Sequence, residues 1–534
     1  MPKIENRWST AGTLIDINQD GLLDIYVVNY VEEVRLIKND EGELLGYDHI
    51  CQPNQLFINR GNFEFDEVAD QFGADDEGCA LATTTIDLNN DGVSDLYVAN
   101  DFGEWIIPNA ALINRFPEEK VENEADALGL DGAIYGMGID ATDYNGDGFP
   151  EIYVTNIGPN LYYEWDGSRY LNLANELKIQ NDSSLNESLT TGWGALWLDH
   201  DNDGREDLVV SNGHITSGHL DPTSFEDPNK LYSRQPDGSF EDVTNELSLG
   251  NIDINRGVVS FDYDVDGDLD LLFSSVFLNV DADERNTLFH VNEPNNENHW
   301  VTFVLEGSTL SRDAIGAHIS LFDKDSKRSK WVKSGVSHAS KSSKKIHFGL
   351  GENEKVDSIM IRWPGGGSSV YKNFEADQTY YIKEGQTVPL IIGCMDPANS
   401  FYNPKANFSM GCKNESYEGC TDRKASNYNP EAIADNGNCI YDGQVFTNLK
   451  NKGLSQEKCT TLKQNLGISE VLVESCLNEA IMVKIFNLKG QMVSSKSFKE
   501  RLTITGEGMP KGIYFILLQD KNGKLLEKAF KAIF

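Results

Sequence analysis

The stretch DINQDGLLD, at Asp16–Asp24, has a residue pattern that occurs four more times along the chain. The other copies are DLNNDGVSD at Asp87–Asp95, DYNGDGFPE at Asp143–Glu151, DHDNDGRED at Asp199–Asp207 and DYDVDGDLD at Asp262–Asp270. Positions 1, 3 and 5 are always Asp or Asn, position 6 is always Gly, and position 9 is always Asp or Glu. We refer to these copies as acidic loops 1 to 5.

The pattern of the acidic loops predicts bound Ca²⁺, at up to five sites, because Ca²⁺ takes six to eight oxygen ligands and tolerates irregular geometry. Positions 1, 3, 5 and 9 supply side-chain oxygens, and position 7 supplies its carbonyl. Glycine at position 6 adopts the positive φ that turns the chain back on the ion. A solvated Asx-turn explains any single copy equally well, but five copies in one register favour the metal. The predicted ligands are Asp16, Asn18, Asp20, Asp24, Asp87, Asn89, Asp91, Asp95, Asp143, Asn145, Asp147, Glu151, Asp199, Asp201, Asp203, Asp207, Asp262, Asp264, Asp266 and Asp270.

The first half of each acidic loop also matches an EF-hand, which needs a Glu at position 12 and flanking helices. Position 12 is apolar in every copy, being Val27, Val98, Val154, Val210 and Phe273. The segments after position 9 are β-branched and aromatic runs such as IYVVN and LYVAN, which predict short strands. The acidic loops therefore connect strands.

Residues 1–292 form a repeat array, in which an apolar strand leads into each loop and an Asn followed by another strand comes after it. A period near 60 residues with strand signals alone favours propeller blades. This unit resembles the FG-GAP or VCBS repeat of integrin α-chains. The resemblance implies an all-β fold, a Ca²⁺-binding β-propeller with small β-sandwich-like domains after it. Such propellers have more blades than the five loops here, so either the ring is smaller or the chain begins within a propeller.

Residues 299–385 read as a compact β domain with clear alternation in VDSIMIRW. The segment contains RDAIGA at Arg312–Ala317, HFGLG at His347–Gly351 and WPG at Trp363–Gly365. These motifs make it similar to the ASPIC/UnbV domain of cartilage-acidic-protein-like proteins, a family that does not settle the domain's molecular role.

Eight cysteines are present, and none forms the C-x-x-C pair of a zinc site. Two short modules in residues 393–442 resemble Cys-bounded repeats of secreted bacterial proteins, and that resemblance implies the disulfides Cys394–Cys412 and Cys420–Cys439. The pairing of the remaining four stays open; these are Cys51, Cys79, Cys459 and Cys476. Residues 443–480 resemble no family and predict one helix and one strand.

Residues 481–534 are a small, basic β unit with MVKIFNLKGQMV, PKGIY at Pro510–Tyr514 and a Lys528–Lys531 tail. They resemble the type A C-terminal sorting domain of type IX secretion substrates. The resemblance implies the secretion machinery as a partner and a location outside the cell or on the outer surface of a Gram-negative bacterium. The N-terminus lacks the apolar core of a signal peptide, so we expect that N-terminal residues have been lost.

The formal net charge of −40 argues against a nucleic-acid partner. The sequence contains no run of 18 apolar residues, so no membrane-spanning helix is predicted. No nucleophile, phosphate-loop or zinc-protease motif is present, so we expect a protein that is not an enzyme. Aromatic residues could stack on sugars but are more often core in repeat arrays, and His214 is more often a hydrogen-bonding residue than a ligand. The aromatic residues are Tyr162, Tyr163, Trp165, Trp193 and Trp197.

The sequence thus predicts a secreted or cell-surface calcium-binding repeat protein that mediates adhesion or binds an extracellular protein or polysaccharide. Two alternatives stay open. One is a secreted enzyme acting on polysaccharide at the propeller mouth, and the other is a structural spacer without a ligand.

Overall fold

The computed structural model describes residues 7–39, 44–181, 190–215, 227–250, 254–276, 289–292, 297–308, 311–323, 326–397, 399 and 401–409, and beyond these the strands of the C-terminal part. The fold is all-β, with 2% helix and 51% strand. The chain forms two compact units. The first comprises Met1–Met395 and Tyr402–Gly411, and the second Asp396–Phe401 and Cys412–Phe534.

Five antiparallel sheets, which we call repeat sheets 1 to 5, follow one another in the first unit, and each runs in chain order from its first strand to its last. The strands of sheet 1 are β1 (Ser9–Ile15), β2 (Asp24–Asn29), β5 (Gln55–Asn59) and β6 (Phe65–Glu67), with the hairpin β3 (Val31–Lys38) and β4 (Leu44–Cys51) inserted. Sheet 2 has β7 (Cys79–Ile86), β8 (Asp95–Asp101), β9 (Ala110–Asn114) and β10 (Val121–Asn123). Sheet 3 has β11 (Ile139–Thr142), β12 (Glu151–Val154), β13 (Leu161–Trp165) and β14 (Tyr170–Asn172).

Sheet 4 has β15 (Gly192–Leu198), β16 (Asp207–Asn212), β17 (Lys230–Arg234) and β18 (Phe240–Asp242). Sheet 5 has β19 (Ile254–Phe261), β20 (Asp270–Val276) and β21 (Phe289–His290). One-turn helices α1 (Ala69–Phe72) and α2 (Ala125–Leu128) follow the first two sheets. The first strands of consecutive sheets lie side by side. No closed propeller is seen in the part of the chain that the structure describes.

An asparagine brace holds the second and third strands together in repeat sheets 1 to 4. An Asn at or within two residues of the end of the second strand donates its side-chain amide to the carbonyl of a Pro, and its own N–H donates to the side chain of the next Asn. In sheet 1, Asn29 donates to Pro53 at 2.8 Å and to Asn54 at 2.9 Å. The same pair of bonds joins Asn100 to Pro108 and Asn109, Asn156 to Pro159 and Asn160, and Asn212 to Pro228 and Asn229. The Asn that recurs before each third strand is therefore a structural brace.

The inserted hairpin β3–β4 is fixed by a disulfide between Cys51, at its end, and Cys79, the first residue of β7. This pairing, which the sequence left open, links repeat sheets 1 and 2.

Two further sheets pack on each other in the first unit and form what we call the two-sheet domain. One has the order β25-β22-β28-β29-β30 and the other β24-β23-β26-β27. Their strands are β22 (His299–Glu306), β23 (His318–Asp323), β24 (Ser326–Trp331), β25 (Ile346–Gly351), β26 (Lys355–Arg362), β27 (Ser368–Glu375), β28 (Gln378–Lys383), β29 (Leu390–Gly393) and β30 (Phe408–Ser409). Val301, Phe303, Ile319 and Ile361 are fully buried in a shared core.

A segment of the two-sheet domain, Val332–Lys345, crosses the first strands of the five repeat sheets, and we call it the crossing segment. The Leu14 N–H of β1 donates to Ser334 Oγ at 2.7 Å, and Ser337 N–H donates to Ile139 O of β11 at 2.7 Å. Thr84 of β7 donates to Gly335 O, Gly194 of β15 lies against Ser337, and Ser260 N–H of β19 donates to Ser342. The crossing segment therefore joins the two-sheet domain to all five repeat sheets.

The second unit is also built from strands, in sheets with the orders β31-β32, β33-β34-β35-β36-β39 and β38-β37-β40-β41. The strands are β31 (Glu418–Gly419), β32 (Ala434–Asp435), β33 (Ile440–Tyr441), β34 (Gln444–Asn448), β35 (Thr460–Asn465), β36 (Glu470–Ser475), β37 (Ile481–Asn487), β38 (Met492–Phe498), β39 (Arg501–Thr505), β40 (Ile513–Gln519) and β41 (Phe530–Ile533). Within residues 443–480 the structure describes two strands, β35 and β36, that pair antiparallel. The helix predicted for this segment is therefore wrong in the described residues. Cys394 is disulfide-bonded. The other three cysteines of the two predicted pairs, Cys412, Cys420 and Cys439, lie outside the described residues.

Candidate metal centre

Each acidic loop connects the first and second strands of one repeat sheet, as the sequence predicts, and closes in the same way. In all five, the position 5 carboxylate accepts the N–H of position 7 at 2.8–2.9 Å. The position 6 glycine has φ between 88° and 98°, a region that side chains with a Cβ rarely adopt. The invariant glycine is therefore explained by backbone geometry.

The position 9 carboxylate joins its loop to the third strand of the sheet. One of its oxygens accepts the N–H of position 2 in every loop, at 2.7–3.1 Å. In loops 1, 2, 4 and 5 the other oxygen accepts a backbone N–H at the end of the third strand, from Asn59, Asn114, Arg234 or Asn292. Position 9 thus has a structural role that the sequence alone did not reveal, in addition to its predicted metal ligation.

Carboxylate oxygens converge in acidic loops 4 and 5. Oxygens of Asp199, Asp201 and Asp203 lie within 4.8 Å of one another, and those of Asp262, Asp264 and Asp270 do the same. Among the described residues, the buried Oδ1 atoms of Asp262 and Asp264 find no hydrogen-bond partner, nor does that of Asp143 in loop 3. Buried polar atoms are normally paired, so these oxygens fit a bound cation.

The electrostatics of the acidic loops also favour a bound cation. Burial, together with repulsion from neighbouring carboxylates, raises the pKa of Asp24 to about 7 and that of Asp87 to about 6. Burial likewise raises the pKa of Asp268 to about 7. A divalent cation would offset this repulsion between buried like charges.

The two-sheet domain lies directly over acidic loops 3, 4 and 5. Ser329 N–H donates to Asp143 O at 2.9 Å, Lys327 Nζ donates to Gly146 O at 2.5 Å, and Arg328 donates to Gly204 O at 3.0 Å. Lys330 pairs with Glu206 at 2.5 Å. These contacts were not predicted from the sequence, although the clustered cations of RSKWVK, residues 328–333, in an acidic chain were a signal for them.

The remaining sequence candidates lie in other environments. Tyr162, Tyr163 and Trp197 are buried in the repeat core, as the core interpretation predicts. His214 is buried near Asp227, with 3.9 Å between its Nδ1 and the carboxylate.

Three family models match the chain. The FG-GAP-like repeat matches residues 16–98, 143–210 and 199–273, the ASPIC and UnbV model matches 307–389, and the secretion system C-terminal sorting domain matches 466–532. The fold and the acidic loops thus belong to a protein of FG-GAP-like repeats joined to an ASPIC and UnbV domain, with a sorting domain at its end. These matches confirm three of the four resemblances seen in the sequence. The resemblance of residues 393–442 to Cys-bounded repeats stays a prediction. The sorting match begins before the predicted boundary at residue 481.

Two curated relatives are both cartilage acidic protein 1. The protein of Homo sapiens is 24% identical over 369 residues, which is 66% of this chain and 50% of that protein. The protein of Mus musculus is 23% identical over 364 residues, or 66% of this chain and 51% of that protein. The chain therefore spans about half the length of these relatives. A solved rhamnogalacturonan lyase, 9% identical, covers 72% of this chain and 74% of its own with a TM-score of 0.29, and this likeness carries no argument about function.

The FG-GAP-like repeats and the type IX sorting domain indicate a secreted or cell-surface protein. Among the described residues, no helix is long and apolar enough to cross a bilayer.

Proposed function

We propose that this protein is an extracellular Ca²⁺-binding scaffold of a Gram-negative bacterium, in which a propeller-type repeat array presents a surface to an extracellular protein or polysaccharide. The observation that carries the proposal is the convergence of Asp262, Asp264 and Asp270. The buried Oδ1 atoms of Asp262 and Asp264 have no hydrogen-bond partner among the described residues. The four other acidic loops close by the same hydrogen bonds and would hold the ion through the same positions.

Calcium in these loops would be structural, because the protein supplies most of the oxygens of each coordination sphere and leaves little room for a substrate. Ions in acidic loops 3, 4 and 5 would neutralise carboxylates that lie under the two-sheet domain and so stabilise both parts together. A ligand that binds only the folded state stabilises it by mass action. An enzyme site at the axis of the repeats has less support, since the crossing segment lies against the first strands there.

Isothermal titration calorimetry of the full chain with CaCl₂ tests the proposal. We expect saturable uptake, which Asp264→Asn diminishes by about one site, while Asp70→Asn on the exposed surface of α1 leaves it unchanged. Extracellular Ca²⁺ modules bind at roughly 10⁻⁴–10⁻³ M. Absence of saturable uptake up to about 10 mM, beyond that range, would disprove the proposal.

A further inference from the structure

A continuous group of aromatic side chains lies on the surface where repeat sheets 1, 2 and 3 meet, and we call it the aromatic platform. Phe102 stacks on the imidazole of His49 with ring centroids 4.2 Å apart, and it contacts Tyr135 edge-on at 5.9 Å. Trp105 donates from its indole to the Tyr135 hydroxyl at 3.2 Å. The members are Trp8, Tyr30, His49, Phe102, Trp105 and Tyr135.

The tryptophans at the two ends of the platform are largely open to solvent. Trp105 is 77% exposed and Trp8 is 63% exposed. An aromatic side chain that stays exposed does not contribute the roughly 1.5–3 kcal/mol of folding free energy that its burial would give. Ring contacts link the two tryptophans through the half-buried Tyr30, Phe102 and Tyr135. Exposed aromatic surface of this kind commonly marks a binding site.

Backbone hydrogen bonds hold the chain segments that carry the platform in place. Tyr30 N–H donates to Trp8 O at 2.9 Å, and Trp8 N–H donates to Gln52 Oε1 at 2.8 Å. On the other side, Tyr135 N–H donates to Asn156 Oδ1 at 2.9 Å. Binding therefore needs little further ordering of the protein, which favours affinity.

Asp101 holds the centre of the platform in an unusual conformation. Its carboxylate accepts the Tyr30 hydroxyl at 2.6 Å and the Phe102 N–H at 2.9 Å. Phe102 has φ of 58°, which is uncommon for a bulky residue. Such local strain clusters at binding and catalytic sites. The Cys51–Cys79 disulfide anchors the hairpin that carries His49 beside it.

We propose that the aromatic platform binds a neutral carbohydrate chain. This inference rests on the proposed function and names the ligand class and the site. The C–H faces of sugar rings stack on exposed indole and phenol rings, which offer an apolar face and a polar edge. The exposed carboxylate of Glu104, next to Trp105 in the chain, can accept a hydroxyl donor, and it repels polyanions together with the net charge of −40.

Affinity electrophoresis of the full chain in the presence of Ca²⁺ tests this proposal. The gels contain laminarin, mannan, xyloglucan or amylose as neutral polysaccharides, and polygalacturonate as the acidic one. We expect at least one neutral polysaccharide to retard the protein. Trp105→Ala and Trp8→Ala should each weaken that binding tenfold or more. Phe63→Ala is the matched control, since Phe63 is an 86% exposed aromatic outside the platform, and it should bind as the wild type does.

Calcium calorimetry on the same preparations separates this inference from the proposed function. Normal Ca²⁺ uptake by both tryptophan variants would show that they are folded. Normal uptake by the wild type without binding to any neutral polysaccharide would overturn the carbohydrate inference alone. Preference for polygalacturonate, or neutral-sugar binding that survives both tryptophan substitutions, would overturn it too. A protein partner whose capture depends on Trp8 and Trp105, with no sugar bound, would also contradict it.

Discussion

Gly349 of the two-sheet domain lies directly against Asp199, the first residue of acidic loop 4. A Cβ added at Gly349 would stand 2.1 Å from Asp199 Oδ2 and 2.5 Å from the Asn202 Cα, so only glycine fits. Gly267 of acidic loop 5 is in a similar position, since a Cβ there would meet the Trp300 indole at 1.8 Å. The predicted calcium loops are therefore part of the contact between the repeats and the two-sheet domain.

Substitution of Gly349 by Ala should destabilise the first unit. The new methyl group has no space, and overpacking typically costs 1–3 kcal/mol. Thermal denaturation should show a lower midpoint, and Ca²⁺ should raise that midpoint less than in the wild type because Asp199 is displaced. Gly367→Ala is the matched control, since nothing lies within 4 Å of a Cβ at that position. Equal midpoints for the two variants would contradict this account of the contact.

Loss of the Lys330 charge should be costly, because it leaves Glu206 without its ion-pair partner in a mostly buried position. We expect Lys330→Met to lower the free energy of unfolding by roughly 1–3 kcal/mol in urea denaturation. The double variant Lys330→Met with Glu206→Gln should recover much of the loss. Lys355→Met, in the exposed pair with Glu375, should change stability by about 1 kcal/mol or less. A single Lys330 variant as stable as Lys355→Met would refute the prediction.

Acidification should destabilise the protein through His347. Burial, together with repulsion from Lys330 and Arg328, lowers the pKa of His347 to about 3. The unfolded residue protonates near pH 6.5, so the unfolded chain binds the extra proton between pH 6.5 and 3. The stability contributed by neutral His347 is therefore complete above pH 6.5 and is lost as the pH falls towards 3.

The variant His347→Gln should flatten this acid limb in denaturation curves measured from pH 7 to pH 4. His299→Gln, which changes a more exposed histidine in the same domain, serves as the control and should keep the wild-type slope. Superimposable slopes for wild type and His347→Gln would show that another group governs the acid limb.

Positions 5 and 9 of an acidic loop should respond differently to substitution. Asp95, at position 9, accepts the N–H groups of Leu88 and Asn114. Asp95→Asn places an amide donor against one of them and should cost roughly 1–3 kcal/mol even in EDTA. Asp91→Asn, at the exposed position 5, should weaken Ca²⁺ uptake with little effect on the calcium-free protein. Equal effects of both variants in EDTA would contradict the structural role of position 9.

The sequence predicted those parts of the fold that depend on local patterns. Gly at position 6 and the strand after position 9 are enough to place the loops between strands. Asp24 and Asp95, at position 9, begin β2 and β8 as the loop pattern predicts. The all-β fold follows from the same local signals. Calcium ligation by the loops stays a prediction.

Contacts between distant residues could not be predicted in this way. Ser334 and Leu14 are 320 residues apart, and no periodicity encodes their hydrogen bond. The Cys51–Cys79 pairing depends on how the inserted hairpin folds back. Exposed Trp8 and Trp105 looked no different in sequence from buried Trp197, because exposure is decided by tertiary packing.

Calcium binding by the acidic loops is tested most directly by anomalous X-ray diffraction from crystals of the full chain grown with CaCl₂. We predict anomalous peaks in the acidic loops, roughly 2.3–2.6 Å from the side-chain oxygens of positions 1, 3 and 5 and the carbonyl of position 7. Loops 4 and 5, with their converging carboxylates, should be occupied first. Crystals that contain millimolar Ca²⁺ but show no peak in any of the five loops would contradict the proposal that these loops bind calcium.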